Sequence, residues 1–225
     1  MKLRSGGLLV LLLFAPVPVI AQAPDTLTYE GALESALHTV TIAEFNPNRA
    51  QRDSMFAQAM MFARRALALN PDDAESHYAV ARTVGRYAIT RGIRERARLG
   101  TEIRDEALKA VAIKPDHDGA LHILGLWNQK VMELGGVERL IARTLLGAKA
   151  LGEASWEQAQ WYLEEAVRVA PNSVLHRLDL GRLYAKRKQW QSAREQLESA
   201  LSAPSTDYND DNYKREAERA LKDLP

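Results

Sequence analysis

One short pattern recurs four times and constrains this chain more than any other feature. An alanine is followed by an apolar residue, then within a few residues by proline. The copies are Ala66-Leu67-Ala68-Leu69-Asn70-Pro71, Ala110-Val111-Ala112-Ile113-Lys114-Pro115, Ala166-Val167-Arg168-Val169-Ala170-Pro171 and the shorter Ala200-Leu201-Ser202-Ala203-Pro204. Proline cannot continue a helix and biases the residue before it away from helix, so each copy marks a helix end and a change of direction. The small alanine lets a neighbouring helix come close. Upstream, Ala159, Leu163 and Ala166 share one helical face, and Ala193, Leu197 and Ala200 repeat the spacing. Downstream, Leu124-Gly125 and Leu180-Gly181 fall early in the next helical stretch, with Tyr184 three residues after Gly181.

An L-G pair, an aromatic, spaced small residues and a closing proline resemble the tetratricopeptide repeat. Segment 174–207 is a nearly complete copy of that unit of about 34 residues. The expected fold is therefore all-α, a tetratricopeptide-like α-solenoid of antiparallel helix pairs with irregular insertions. The insertions follow from the spacing. Pro71 to Pro115 is 44 residues and Pro115 to Pro171 is 56, so about 10 and 22 residues are added to the unit. The first lengthens the pair around Gly92. The second occupies about 131–153, where Gly135-Gly136, Gly147 and Gly152 break it into short helices and turns. Segment 27–69 supplies the first pair, broken near Asn46-Pro47. Segment 209–224, with Tyr213, Ala217, Ala220 and Leu221 on one face, reads as the capping helix that covers a solenoid's last apolar face.

The first 21 residues have a different chemistry. Lys2 and Arg4 precede the apolar run Leu8 to Phe14, and Val19-Ile20-Ala21 offers a cleavage site before Gln22. This is the pattern of a secretory signal peptide, and it leaves 22–225 as the helical repeat domain, exported to a periplasm or the extracellular space. The run is too short, and too interrupted by Pro16 and Pro18, to suit a bilayer span. No second long apolar segment follows, so the mature chain is expected to lack a transmembrane helix. There is no cysteine, hence no disulfide framework and no thiolate site. Removing Lys2 and Arg4 from the 30 basic residues leaves 28 against 29 acidic ones. Near-neutrality offers no global argument for nucleic-acid binding.

A closer resemblance is carried by Ala120-Leu121-His122-Ile123-Leu124-Gly125-Leu126-Trp127, Leu145-Leu146-Gly147, Ala154-Ser155-Trp156-Glu157-Gln158-Ala159, His176-Arg177-Leu178-Asp179-Leu180-Gly181 and the Arg-rich Gly92-Ile93-Arg94-Glu95-Arg96. Over Ala74 to Leu224 the chain resembles the regulator of microtubule dynamics family and its bacterial relatives. The resemblance implies an α-solenoid, no cofactor and no catalytic residues. Export would carry this chain away from tubulin-like filaments, which argues against a microtubule role for it.

No motif for catalysis appears. There is no G-x-S-x-G, no phosphate loop and no HExxH, so an enzyme is not expected. His77, His122 and His176 fall at similar points of successive first helices, but no acid or cysteine completes a ligand spacing, and a metal site is not expected. Glu164-Glu165 and Asp210-Asp211 are adjacent, diverge by about 100° on a helix and read as solvated faces. The four tryptophans, Trp127, Trp156, Trp161 and Trp190, read as core packing at repeat junctions, with Ser155 the N-cap before Trp156. Arg94, Arg96, Arg98 and Arg104 read as a solvated helix face with i,i+4 pairs.

Arg82 and Arg86 are different. The first helix of each tetratricopeptide pair lines a concave groove. Aligning the L-G pairs places Tyr78, Arg82 and Arg86 there from one repeat, His122, Gln129 and Lys130 from the next, and Leu178, Arg182 and Lys186 from the last. Each repeat aims a cation at the groove, which would suit a protein partner presenting an acidic peptide segment. The competing possibility is that acids within the array neutralise these cations. A second functional class is a lipid or small apolar ligand carrier, for which Leu134, Val137, Leu140, Ile141, Leu145 and Leu146 would cover a cavity. If the groove clamps acidic peptides, Arg82→Glu with Arg182→Glu abolishes capture of a native partner and leaves helical circular dichroism unchanged.

Overall fold

The computed structural model describes residues 27–146 and 152–225. The expected export signal and cleavage site, and the expected break at Gly147, lie outside the described residues. Among those described, every regular element is helical, and there are ten: α1 Tyr29–Ala43, α2 Arg49–Leu69, α3 Ala74–Ala88, α4 Ile93–Ile113, α5 Asp118–Met132, α6 Gly136–Leu146, α7 Trp156–Val169, α8 Val174–Lys186, α9 Trp190–Ser202 and α10 Asp210–Lys222. None of them is long and apolar enough to cross a membrane.

Helix starts and stops have local causes. Helices α2, α4, α7 and α9 each end two residues before Pro71, Pro115, Pro171 and Pro204. At the first three ends, the backbone N–H of Asn70, Lys114 and Ala170 closes the last turn onto the carbonyl of Ala66, Ala110 and Ala166 at 2.8–3.0 Å. At the starts, side-chain acceptors take up N–H groups that have no partner inside a helix. Thr28, Asn48, Ser155 and Ser173 do this for α1, α2, α7 and α8, and the imidazole Nδ1 of His117 does it for α5. The hairpin turn from α8 to α9 sets Lys188 at a φ of 61°, in the left-handed region.

The helices pack as successive hairpins, α1/α2, α3/α4, α5/α7 and α8/α9, and each hairpin stacks on the next in an all-α, solenoid-like array. The alanines of the recurring pattern explain how. Ala66, Ala110, Ala166 and Ala200 are fully buried, as are Ala159, Leu163, Ala193 and Leu197. A Cβ placed on Gly125 would sit 2.6 Å from Leu163 Cγ and 3.2 Å from the Ala159 carbonyl. One placed on Gly181 would sit 2.8 Å from Leu197 Cγ and 3.3 Å from the Ala193 carbonyl. The same seating thus recurs: a glycine of the first helix receives the leucine and backbone of the second. Each leucine, fully removed from water, contributes about 1.5–3 kcal/mol.

Two parts depart from a plain array. Helix α6 lies within the second insertion and packs against α4 instead of extending the stack. The last helix, α10, lays Tyr213 and Ala217 on Leu178 and Leu197 of α8 and α9. Phe45, just after α1, joins the same cluster, its ring edge-on to Tyr213 with centroids 5.4 Å apart. The Asn209 side-chain amide donates to the Thr41 carbonyl at 2.7 Å. The first and last hairpins therefore touch, and the array curls round far enough to close on itself.

The aromatic expectation held only in part. Trp127 is buried and donates to the Gly100 carbonyl at 2.8 Å, but Trp161 and Trp190 are exposed, on second helices facing away from the stack. Asp210 is not a solvated face. It is buried and accepts the Thr206 and Asp207 N–H groups at 2.8 Å each, fixing the turn into α10.

The glycine seating is testable against a neighbour that lacks it. Gly181→Ala should cost about 1–3 kcal/mol, because the added methyl meets a leucine branch point and a carbonyl instead of a flexible tip. Gly85→Ala, where nothing lies within 4 Å of the new methyl, should stabilise by about 0.5–1 kcal/mol through helix propensity. Urea midpoints that moved in the same direction for both would refute this account.

Candidate functional site

The array encloses one large cavity of about 1090 Å³. It runs along α3 from Glu75 to Ile89 and beside α5 from His117 to Leu134. Fourteen residues of helix separate Glu75 from Ile89, so the cavity is about 20 Å long. Its two ends differ in chemistry. Where the helices begin, the walls carry Glu75, Tyr78, His117, Asp118, His122 and His176. Where they end, the walls carry Ile89, Ile93, Ile103, Trp127, Val131 and Leu134 together with the charged Arg96, Lys130 and Glu133, and Glu138 and Ala142 of α6 lie over them. Lining residues are exposed at both ends, Ile89 and Arg96 at one and Pro171 and Asn172 at the other, so the cavity opens to solvent at each.

The residues expected to line a groove fall into three groups. Tyr78, Arg82, Arg86, His122 and Lys130 line the cavity. Gln129, Lys130 and Lys186 converge on a single carboxylate, Glu133, which ends α5. Gln129 donates to it at 2.8 Å, Lys130 at 2.9 Å and Lys186 at 2.7 Å. Burial works against the charge of Glu133, but these three donors hold its pKa down to about 2. Arg182 pairs with Glu216 at 2.7 Å and with Asp179 at 3.4 Å, and Arg86 pairs with Glu44. Leu178 is the correction. It is fully buried among Val174, Leu197, Ala200 and Tyr213, and so lines no groove. At its position in the unit α10 covers the last hairpin, and a side chain that would face a groove becomes core.

The acids that pair with these cations were the signal missed in the sequence. Glu44 and Glu133 follow helix ends, and Glu216 lies in the capping helix, so no repeat position flags them. Arg182→Glu would set three carboxylates together at Asp179 and Glu216. That variant therefore disturbs the fold as well as any groove.

Arg82 is the exception. Among the described residues it has no carboxylate within ion-pair distance, and its guanidinium donates to Thr41 Oγ1 at 3.0 Å. Burial opposes its charge, while Tyr78, Tyr213 and Glu44 around it keep it firmly protonated.

The histidines also separate. His77 turns between α3 and α4, with Nδ1 2.5 Å from Glu106 and Nε2 2.8 Å from the Pro71 carbonyl. His122 and His176 meet instead, stacked with centroids 4.6 Å apart. His122 bonds to Asp179 at 2.9 Å and His176 to Asp118 at 3.0 Å. The three lie three, four and two residues after their helix starts, so they are out of register and do not converge as a set. Among the described residues no cluster of metal-ligating side chains forms.

Burial pushes the His176 imidazole below its ordinary range, against the pull of Asp118, and the stacked His122 adds to the shift. Its Nδ1 is buried without a hydrogen-bond partner, which suits a neutral ring donating from Nε2. The hydrogen bond from His176 is what most lowers Asp118. For Asp179, burial is the largest single effect and raises the value, but the hydrogen bond from His122 and the charges of His122, Arg182 and Arg86 together bring it below the ordinary range.

These features define a helical-repeat protein with an elongated amphipathic cavity. The model of the family described as regulator of microtubule dynamics protein 1-3 matches residues 24–225, so the chain belongs to that family. It is 26% identical to regulator of microtubule dynamics protein 1 of Bos taurus over 166 residues, 73% of this chain and 52% of that protein. The Homo sapiens protein of the same name is 28% identical over 168 residues, with the same coverage. Regulator of microtubule dynamics protein 3 of Bos taurus is 26% identical over 153 residues, 68% of this chain and 32% of that protein. The chain thus spans about half the length of the first two relatives and a third of the last.

The pH dependence of stability follows from the depressed groups. A histidine held below its unfolded value binds its proton less readily when folded. Its contribution is complete above about pH 6.5 and is lost as pH falls below that. Asp118 and Asp179, also depressed, contribute above about pH 3.9 and lose that as pH falls through their folded values. The thermal midpoint should fall in two stages on acidification. His176→Gln should remove the upper stage and keep the lower; an unchanged upper stage would place its origin elsewhere.

Proposed function

We propose that this chain is a non-catalytic carrier that holds an elongated amphiphile, an apolar chain with an acidic head, inside the helical array. One observation carries the reading: Ile103, Trp127 and Val131 line the cavity beside α6, and Arg82 in its wall makes no ion pair among the described residues. The volume of about 1090 Å³ is at the upper end of ordinary small-molecule sites. An acyl chain would lie against Ile103, Trp127 and Val131. Its carboxylate or phosphate would displace no ion pair on reaching Arg82.

Several further points support the wider setting. The glycine seating at Gly125 and Gly181 favours a tetratricopeptide reading of the helix pairs. Lys2, Arg4 and the apolar run after them favour export.

Protein interaction is the second reading, favoured by membership of a family whose curated relatives are named for microtubule dynamics. An acidic peptide in the groove would have to compete with Glu44, Glu133, Asp179 and Glu216 for cations already paired. The peptide clamp is therefore the weaker form of that reading. The exposed Trp161 and Trp190 offer an outer surface instead.

Solvent extraction of the purified protein followed by mass spectrometry should release an amphiphile at about one per chain. A fluorescent fatty acid should bind in its place, and Gly85→Phe, which fills open space in the wall, should weaken it at least tenfold (about 1.4 kcal/mol) without unfolding. Arg82→Gln should weaken the fatty acid but not the matching alcohol. Equal affinity of Gly85→Phe and the parent chain would rule out the cavity as the site.

A further inference from the structure

Helix α6 packs on α4 and lends Glu138 and Ala142 to the cavity wall, but much of it faces water. Val137 is 75% exposed and Leu140 67% exposed, and Ile89 at one cavity mouth is 63% exposed. Val137, Leu140 and Thr144 follow the i, i+3, i+7 spacing of one helical stripe, and Arg139 and Arg143 form the row beside it. On the neighbouring α4, Arg94, Arg96 and Arg98 are exposed as well.

Arg94, Arg96 and Arg98 were expected to sit on a solvated helix face with i,i+4 pairs; the face is solvated, but the pairs do not form among the described residues. None of Arg94, Arg96, Arg98, Arg139 and Arg143 makes an ion pair among the described residues. Arg96 and Arg139 reach only backbone carbonyls, at 3.4 and 3.5 Å. The cations of the inner face differ from them. Arg86, Arg182, Lys130 and Lys186 all have carboxylate partners. The surface around α6 therefore combines exposed aliphatic side chains with unneutralised guanidinium groups, beside one mouth of the cavity.

We infer that the outer face of α6 is a membrane-docking surface, which inserts Val137 and Leu140 among the head groups of an anionic bilayer while the flanking arginines of α6 and α4 bind lipid phosphates. The two halves of the surface suit the two layers of such an interface. Aliphatic side chains gain by leaving water at the acyl boundary, and arginines beside them meet the negative surface charge. A protein groove would not need five unpaired guanidinium groups arrayed around so small an apolar stripe. A second copy of this chain would bring like charges together. The inference does not depend on what the cavity holds, although it would place that mouth against the bilayer.

Co-sedimentation with vesicles tests it. The full chain should bind phosphatidylcholine vesicles containing about a third phosphatidylserine, and bind pure phosphatidylcholine much less. Val137→Asp with Leu140→Asp should reduce binding at least tenfold, with the thermal midpoint unchanged because both side chains already face water. Arg139→Gln with Arg143→Gln should weaken it by about fivefold per charge, and added salt should do the same for the parent chain. Because the sequence has no cysteine, a Leu140→Cys chain carries a single environment-sensitive dye. Its emission should shift to the blue on anionic vesicles, while the dye at Trp190→Cys should not respond.

Gly85→Phe separates this inference from the cavity reading. If it keeps vesicle binding while losing the fatty acid, the docking surface stands by itself. If it loses both, the vesicles were only delivering lipid to the cavity, and the inference fails. It fails equally if the aspartate pair binds anionic vesicles like the parent, or abolishes self-association of a chain that binds no vesicles.

Discussion

The close approach of paired helices at Gly125 and Gly181 is the constraint on which the remaining structure depends. Leu163 and Leu197 fill the space that any larger residue would occupy, and the carbonyls of Ala159 and Ala193 come almost into contact with the opposing glycine. The first and second helices of a hairpin can then differ in what they touch. The second carries the buried alanines, and the first keeps a face turned to the inside of the curl. Because that geometry recurs, the inward faces of α3 and α5 come side by side along a common cavity. Interiors pack densely enough that one methyl at such a contact is felt.

Closure of the array adds the second constraint. Phe45, Thr41 and Glu44 at the end of the first hairpin meet Tyr213 and Asn209 of the last helix and Arg86 between them. The inner surface is consequently no uniform basic groove. It is divided into a network of paired charges around Asp179 and Glu133, and a cavity in which the buried Arg82 makes no ion pair among the described residues. A buried cation needs compensation, and here it comes from a hydroxyl, neighbouring phenols and the nearby charge of Glu44. That arrangement suits an occupant with one acidic end.

Helix α6 ties the cavity to the outside. It sits in an insertion that a regular repeat lacks. Its inner residues wall one end of the cavity and its outer residues meet water as an aliphatic stripe between arginines. The family relation covers the whole helical region, from residue 24 to 225, and so includes this insertion. The activity of the longer relatives is a separate matter, since this chain spans only about half the length of regulator of microtubule dynamics protein 1 of Bos taurus and of Homo sapiens.

The fold was legible in the sequence because its determinants are local. A proline two residues past a helix end, a Ser, Thr or Asn at its start, and small residues spaced three and four apart act over a single turn or a single contact. They sufficed for the hairpins, the insertion and the capping helix. The inward position of Tyr78, Arg82, Arg86, His122 and Lys130 followed from repeat alignment for the same reason. What those residues do there was decided by tertiary structure alone. Leu178 became core because α10 lies over it. Lys186 met Glu133 across 53 residues, Arg182 met Glu216 across 34, and His122 met Asp179 across 57. Coulombic pairing depends on distance in space and on burial, neither of which a one-dimensional pattern encodes. The sequence by itself determined where the helices lie and which faces they share. Only the closing of the array determined which charges pair, and that Arg82 makes no ion pair among the described residues.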